Sequence, residues 1–137
     1  MKALAPLKTF LAQKLSLLTP DKCHLLVVNG SQKEGYFDYT ARIMLLDYRG
    51  DPIEVIMQIK NWLKSKSLHL DAAGKDIQIS FSSEVVDSET FDLEIDFPQR
   101  DKIVFDQSGY HICLPTVWCD TRGGFFPVGE QWTQQTD

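Results

Sequence analysis

Apolar residues recur along this chain with two periods, and the change from one to the other marks its elements. Leu4, Leu7, Leu11, Leu15 and Leu18 follow one another at three- and four-residue steps with Phe10 beside them, the spacing of an amphipathic helix ended by Thr19-Pro20. Cys23 to Val28 is a continuous apolar run short enough for a buried strand, and Asn29-Gly30 with the polar residues through Gly35 predicts a closing loop. Tyr36 to Tyr48 reads as a long strand, rich in β-formers and continuously apolar from Ile43 to Leu46. After a loop from Leu68 to Asp76, Ile77, Ile79, Phe81 and Val85 alternate with Gln78, Ser80, Ser82 and Glu84, which predicts a half-exposed strand. Past Asp87-Ser88-Glu89, Phe91, Leu93, Ile95 and Phe97 alternate with Asp92, Glu94 and Asp96. The two runs predict an antiparallel hairpin with one apolar and one acidic face. Lys102–Asp106 and Tyr110–Leu114 predict a further hairpin around Gln107-Ser108-Gly109.

Between the long strand and that loop lies Asp47 to Leu63, DYRGDPIEVIMQIKNWL. Gly50 and Pro52 break the strand, and Pro52 suits the first helical position, where its missing N–H costs nothing. Asp51 at the N-cap and Glu54 at N3 make a capping box, so a helix runs from here to about Lys66. Ile53, Val55, Ile56, Met57, Ile59, Trp62 and Leu63 cover more than half its circumference, wider than the stripe of a helix lying on one core. Either the fold nearly engulfs this helix, or one flank faces another subunit.

From Pro115 the periodicity stops. Residues 115–137 carry Trp118, Phe125, Phe126 and Trp132 among prolines and glycines, the composition of an extended aromatic arm. The order α-β-β-α-β-β-β-β predicts an α+β domain over residues 1–114, with two helices on one face of a mainly antiparallel sheet of about five to six strands. The arm over 115–137 follows it.

A length of 137 residues suits one such domain. Nineteen acidic against fourteen basic side chains give a net charge of −5 without a basic block. That disfavours specific nucleic-acid binding through phosphate neutralisation, and with it a polybasic membrane surface. No apolar run approaches a bilayer span. The N-terminal segment reads as a structural helix and not as a signal peptide, because Lys8 and Lys14 interrupt it and no small-residue cleavage site follows. Three cysteines, an odd number, fit a reduced, cytosolic setting.

Candidate chemistry is sparse. His111, Cys113 and Cys119, with Cys23-His24 far upstream, match no structural zinc spacing. Cysteines behaving as small buried apolar residues explain them better. A Cys/His dyad, Cys119 with His111 or Cys23 with His69, has nothing to activate its thiol. Asp92, Glu94 and Asp96 lack the glycine turn of a calcium loop and read first as the solvated side of a sheet. Arg49-Gly50-Asp51 is explained by its turn and cap, the lysines at 60, 64 and 66 by the helix dipole, and Arg122-Gly123-Gly124 is too short for a phosphate loop. We therefore expect no catalytic residue, metal or cofactor.

Pro20-Asp21-Lys22 before an apolar strand, Leu45-Leu46-Asp47 leading into Arg49-Gly50-Asp51, Ile56-Met57, Trp62-Leu63, and Asp92-Leu93-Glu94-Ile95-Asp96 carry a resemblance. Through them the region from Pro20 to Phe105 resembles the tail completion protein R of contractile-tailed phages of the Peduovirus type. The resemblance implies a virion structural protein that finishes the tail at its head-proximal end and makes it competent to join the head. By wider analogy with tail terminators it implies a homo-oligomeric ring, a hexamer, on the last ring of tail tube protein, with neck or head completion proteins as further partners. Its setting would be the host cytoplasm during assembly and then the virion tail, the source an infectious phage or a prophage. A ring joined head to tail needs two different patches per subunit. Ile53, Met57 and Trp62 on the second helix, and Trp118, Phe125, Phe126 and Trp132 on the arm, are the candidate intersubunit contacts. Asp92, Glu94 and Asp96 are the candidate lining of a channel that repels DNA, or else simply a solvated face. The alternative is a soluble small-ligand or peptide-binding module.

Overall fold

The computed structural model of the chain describes residues 1–113, 116–119 and 124–127. A short 3₁₀ turn, Lys2–Leu4, leads into α1, Ala5–Lys14. A second such turn, Pro20–Lys22, precedes β1, Cys23–Lys33, and β2, Tyr36–Tyr48. Helix α2, Pro52–Ser65, follows, then β3, Ser80–Val85; β4, Phe91–Asp106; and β5, Gly109–Cys113. The sheet is antiparallel in the order β1-β2-β4-β3, with β5 paired to the far half of β4. β6, Thr116–Cys119, and β7, Gly124–Pro127, pair with each other. Two helices on an antiparallel sheet make the α+β fold that the periodicities predict.

Alternate residues of β2 and β4 build the core. Tyr39, Ala41, Ile43 and Leu45 lie opposite Gln99, Phe97, Ile95 and Leu93, all on the face toward the helices. Leu7 and Leu11 of α1, with Leu15 and Leu18 beyond its end, and Val55, Ile59, Trp62 and Leu63 of α2 close over that face. Burying a side chain of this kind stabilises a fold by about 1.5–3 kcal/mol, and this cluster is what sets the sheet register.

Several boundaries differ from those the sequence predicts. α1 is shorter than the leucine repeat, because Leu15 leaves helical geometry while its side chain stays in the core. The expected loop at 29–35 is instead the outer half of a long β1–β2 hairpin. A bulge between Val28 and Ser31, with Asn29 at positive φ, absorbs the polar residues, and Glu34 and Gly35, both at positive φ, form the two-residue turn. The two hairpins expected over 77–114 share one strand: β4 is continuous for 16 residues, about 50 Å at an ordinary strand rise. It changes neighbour along its length, pairing with β3 as far as Asp96 and with β5 from Lys102. Pro98 falls in the gap between, paired with Thr40 of β2 and facing neither β3 nor β5. Finally, Ile77 and Ile79 pack on the core from a loop, and β3 begins only at Ser80.

Candidate assembly surfaces

Helix α2 starts as its turn chemistry demands. Asp51 accepts a hydrogen bond from the Ile53 N–H at 3.0 Å, at the second helical position and not the third. A Cβ on Gly50 would stand 2.4 Å from the Tyr48 hydroxyl, so only glycine lets the chain cross that buried ring. Gly50 and Asp51 are thereby taken up by the turn and the cap, while Arg49 is exposed and stands 3.8 Å from Glu89.

The helix then sorts its apolar girth into two faces. Val55, Ile59, Trp62 and Leu63 are buried, with Ile56 partly so. Ile53 and Met57 are 67% and 48% exposed, on the side turned away from the sheet. Four, three and four residues apart, Ile53, Met57, Lys60 and Lys64 form a single outward stripe. Of the three helix residues picked as intersubunit contacts, Ile53 and Met57 are at the surface. Trp62 is not: it is 3% exposed and packs in its own core, leaving nothing for a neighbour to touch.

Two further apolar surfaces were hidden from sequence reasoning. Phe81 and Val85 occupy helix-side positions of β3, in register with buried Ile95 and with Phe91, yet are 60% and 65% exposed because neither α1 nor α2 covers this edge. At the other end the β4–β5 hairpin overhangs the helical layer. Phe37, Ile103, Phe105, Tyr110 and Ile112 line a groove there, and the Phe105 and Tyr110 rings lie 6.4 Å apart. Alternation announced β3 as a strand with one apolar face, and the turn at Gln107-Ser108-Gly109 announced the second hairpin. What neither could announce is that none of the described residues of the same subunit covers these faces.

The acidic run of β4 lies on the opposite side of the sheet and is partly matched. Arg42 of β2 grips its cross-strand partner Asp96 with both nitrogens at 2.9 Å and reaches Glu94 at 3.1 Å. Asp92 accepts the Asp47 N–H at 2.9 Å. Nearer the overhang Arg100 clasps its own cross-strand partner Asp38 at 2.6 and 3.1 Å. Hydrogen bonds from these guanidiniums hold the Asp96 and Asp38 carboxyls below their ordinary range. The strip is two clamps across β2 and β4 with four carboxylates against two arginines, not a bare acidic wall.

Cys23 is buried, and desolvation pushes its thiol up, more than Lys8 pulls it down. His111 contacts Asp106 at 2.6 Å on the exposed hairpin. Among the described residues no group of three or more His, Cys, Asp or Glu could hold a metal ion, and no helix is long and apolar enough to cross a membrane. Of the arm, Trp118 stands opposite Phe125 and Val117 opposite Phe126 along the β6–β7 backbone. Trp132 lies outside the described residues.

A family model, the P2 phage tail completion protein R (GpR), matches residues 1–115. The chain belongs to this family of phage tail completion proteins. The match spans the whole sheet and both helices, so α2, the β3 edge and the overhang all lie within the tail completion domain. Its family is structural in kind. A search of curated proteins and one of solved structures found no match.

Proposed function

We propose that this tail completion protein assembles as a ring of identical subunits on the head-proximal end of the tail, where it stops further addition of tail tube protein and offers a surface to neck or head completion proteins. The observation that carries the reading is apolar surface left open at separate places on one small domain: Ile53 and Met57 on α2, Phe81 and Val85 on β3, Phe105 and Tyr110 on the overhang. Soluble monomers rarely leave such patches, and patches that differ from one another suit head-to-tail contacts better than a two-fold dimer. Membership of a tail completion family supports contact with other tail components; in this reading they are neighbouring copies, the tube below and the head or neck above.

In this reading no residue performs chemistry. The net acidic outer strip around Asp92, Glu94 and Asp96 faces either solvent or the lumen, and in the lumen its unmatched carboxylates keep passing DNA from adhering. Outside the virion the ring components pass through the host cytoplasm. The test is removal of the gene from its phage or prophage followed by electron microscopy of the products. Expected are tails of irregular length without heads, corrected by the wild-type gene, with the chain located at the head-proximal tip. Normal particles in its absence, or its placement at the distal end, would refute the proposal.

A further inference from the structure

We infer that neighbouring copies meet through the outward stripe of α2 in one subunit and the β3 edge of the next. The inference rests on the ring reading and names its contact.

Both surfaces combine exposed apolar side chains with charge mainly of one sign, Glu54 in the first turn of α2 and Arg49 beside the β3 edge being the opposite charges nearby. On α2 the exposed Ile53 and Met57 continue into Lys60 and Lys64. Neither lysine makes an ion pair among the described residues, and from Val55 to Lys66 the helix carries no carboxylate. On the β3 edge Phe81, Val85 and Val86 are 60%, 65% and 49% exposed. Asp87 and Glu89 of the following turn adjoin them, whereas Glu84, in register with Asp92, lies on the other face of the sheet; Arg49 stands 3.8 Å from Glu89. The edge also offers backbone: β3 pairs with β4 on one side only.

Charge decides the occupant and the orientation. Stripe against stripe would set Lys60 and Lys64 against their own copies, and edge against edge would oppose Asp87 and Glu89. Like charges brought together disfavour a wrong partner strongly. Stripe against edge pairs lysines with carboxylates and joins two apolar areas that are each open in the monomer. The same acidic rim repels DNA, so a nucleic acid is a poor occupant of the edge. The contact uses different surfaces on the two copies, and such a contact repeats until a ring closes.

A charge exchange on the full chain tests this. K60E/K64E makes both surfaces acidic, and S88K/E89K, which spares the Asp87 carboxylate that holds the turn, makes both basic. All four positions lie outside the buried core, so the variants fold. Sedimentation at low ionic strength should show the wild type associating, each variant alone monomeric, and the equimolar mixture associating again, since every stripe then meets an edge of opposite sign. Added salt should weaken both the wild type and the mixture. In parallel, mixing Met57→Cys with Val85→Cys chains should give a cross-linked dimer that neither population forms alone.

Variants that associate like the wild type would overturn the contact while leaving a ring built on other surfaces. Failure of the mixture to recover, or a wild type monomeric even at about 1 mM, would overturn it too. The ring reading itself would then stand or fall on the electron microscopy of tails. Binding of duplex DNA to the wild type that is lost in K60E/K64E, without self-association, would instead make the stripe a nucleic-acid surface and refute the proposal.

Discussion

Trp62→Ala separates the two roles open to the apolar residues of α2. In the folded chain Trp62 is 3% exposed, flanked by Ile59 and Leu63 of the same buried face. Truncating a buried tryptophan removes its transfer free energy and leaves a cavity that the sheet below can fill only in part, a loss of about 3–5 kcal/mol. A domain of this size holds only about 5–15 kcal/mol in total. The expected drop in melting temperature is therefore roughly 10–20 °C, scaling from a few degrees per kcal/mol. The paired control is Ile53→Ala, where a side chain 67% exposed is shortened on the outward stripe; its cost should stay within about 0.5 kcal/mol. Urea unfolding followed by circular dichroism measures both, at a concentration low enough to keep the chain monomeric and with the denaturant slope checked for constancy. The two variants should then exchange ranks in an assembly assay, with Ile53→Ala folding normally and associating poorly. A Trp62→Ala chain that unfolds within about 1 kcal/mol of wild type would refute the placement of Trp62 in the core, and with it the division of α2 into a packing face and a docking face.

Other perturbations follow from the same geometry. Gly50→Ala forces a methyl into the buried Tyr48 ring, 2.4 Å from its hydroxyl, and should cost about 1–3 kcal/mol in urea unfolding; a neutral result would mean the turn can reroute. Asp51→Ala should lose about 1 kcal/mol by removing the cap on the Ile53 N–H, whereas Asp51→Ser should keep most of it. The carboxyls of Asp38 and Asp96 are held low by Arg100 and Arg42. A depressed folded-state pKa contributes stability that is present above the unfolded value, about 3.9, and is lost as pH falls through the folded one. Melting temperature should therefore fall below about pH 4, and Arg42→Ala should flatten that fall as well as lower the plateau. Cys23, buried with its thiol pushed up, should resist alkylation by iodoacetamide until the chain unfolds; rapid labelling in the native state would contradict its burial.

How much of this was legible beforehand depended on whether the information was local. The helix start at Asp51-Pro52 was readable because capping and proline geometry act within four residues. The core face of β4 was readable because alternation of period two is enforced by burial on one side, whereas the continuous apolar run of β2 announced a strand without saying which residues face the core. The 29–35 segment was misread because loop-like residues also suit a bulged hairpin, and only pairing with Tyr36–Asp38 tells the two apart. Trp62 was picked as an outer contact because girth alone does not say which arc of an apolar helix meets the sheet. The arc is fixed by α1 and by Leu93, Ile95 and Phe97, which lie far from Trp62 in sequence. For the same reason the open faces of β3 and of the overhang were invisible: a strand announces its apolar side, but which strands the helices fail to reach is a property of the assembled layers. Arg42 likewise gave no sign that it would sit opposite Asp96, so an acidic run looked barer than it is.

A contact between unlike surfaces has no stop of its own, and a protein that ends a polymer needs one. A ring supplies it only if the rotation from one copy to the next closes, since otherwise the same contact propagates as a filament. Here the angle between copies is set by where the stripe and the edge sit on one rigid body. α2 is clamped to the sheet by Val55, Ile59, Trp62 and Leu63, and β3 is held in register to β4 over six pairs from Ser80↔Asp96 to Val85↔Phe91. Closure should therefore be sensitive to core changes that tilt α2 without touching the stripe. Ile59→Val, a loss of one methylene under the middle of the helix, should cost only about 0.5–1.5 kcal/mol of stability and leave the pairwise contact intact. If tilt governs closure, electron microscopy of this variant at high concentration should show open arcs or short filaments beside rings, at unchanged pairwise affinity. Rings of unaltered size and homogeneity would show that the angle is fixed elsewhere, with the β4–β5 overhang the next element to truncate.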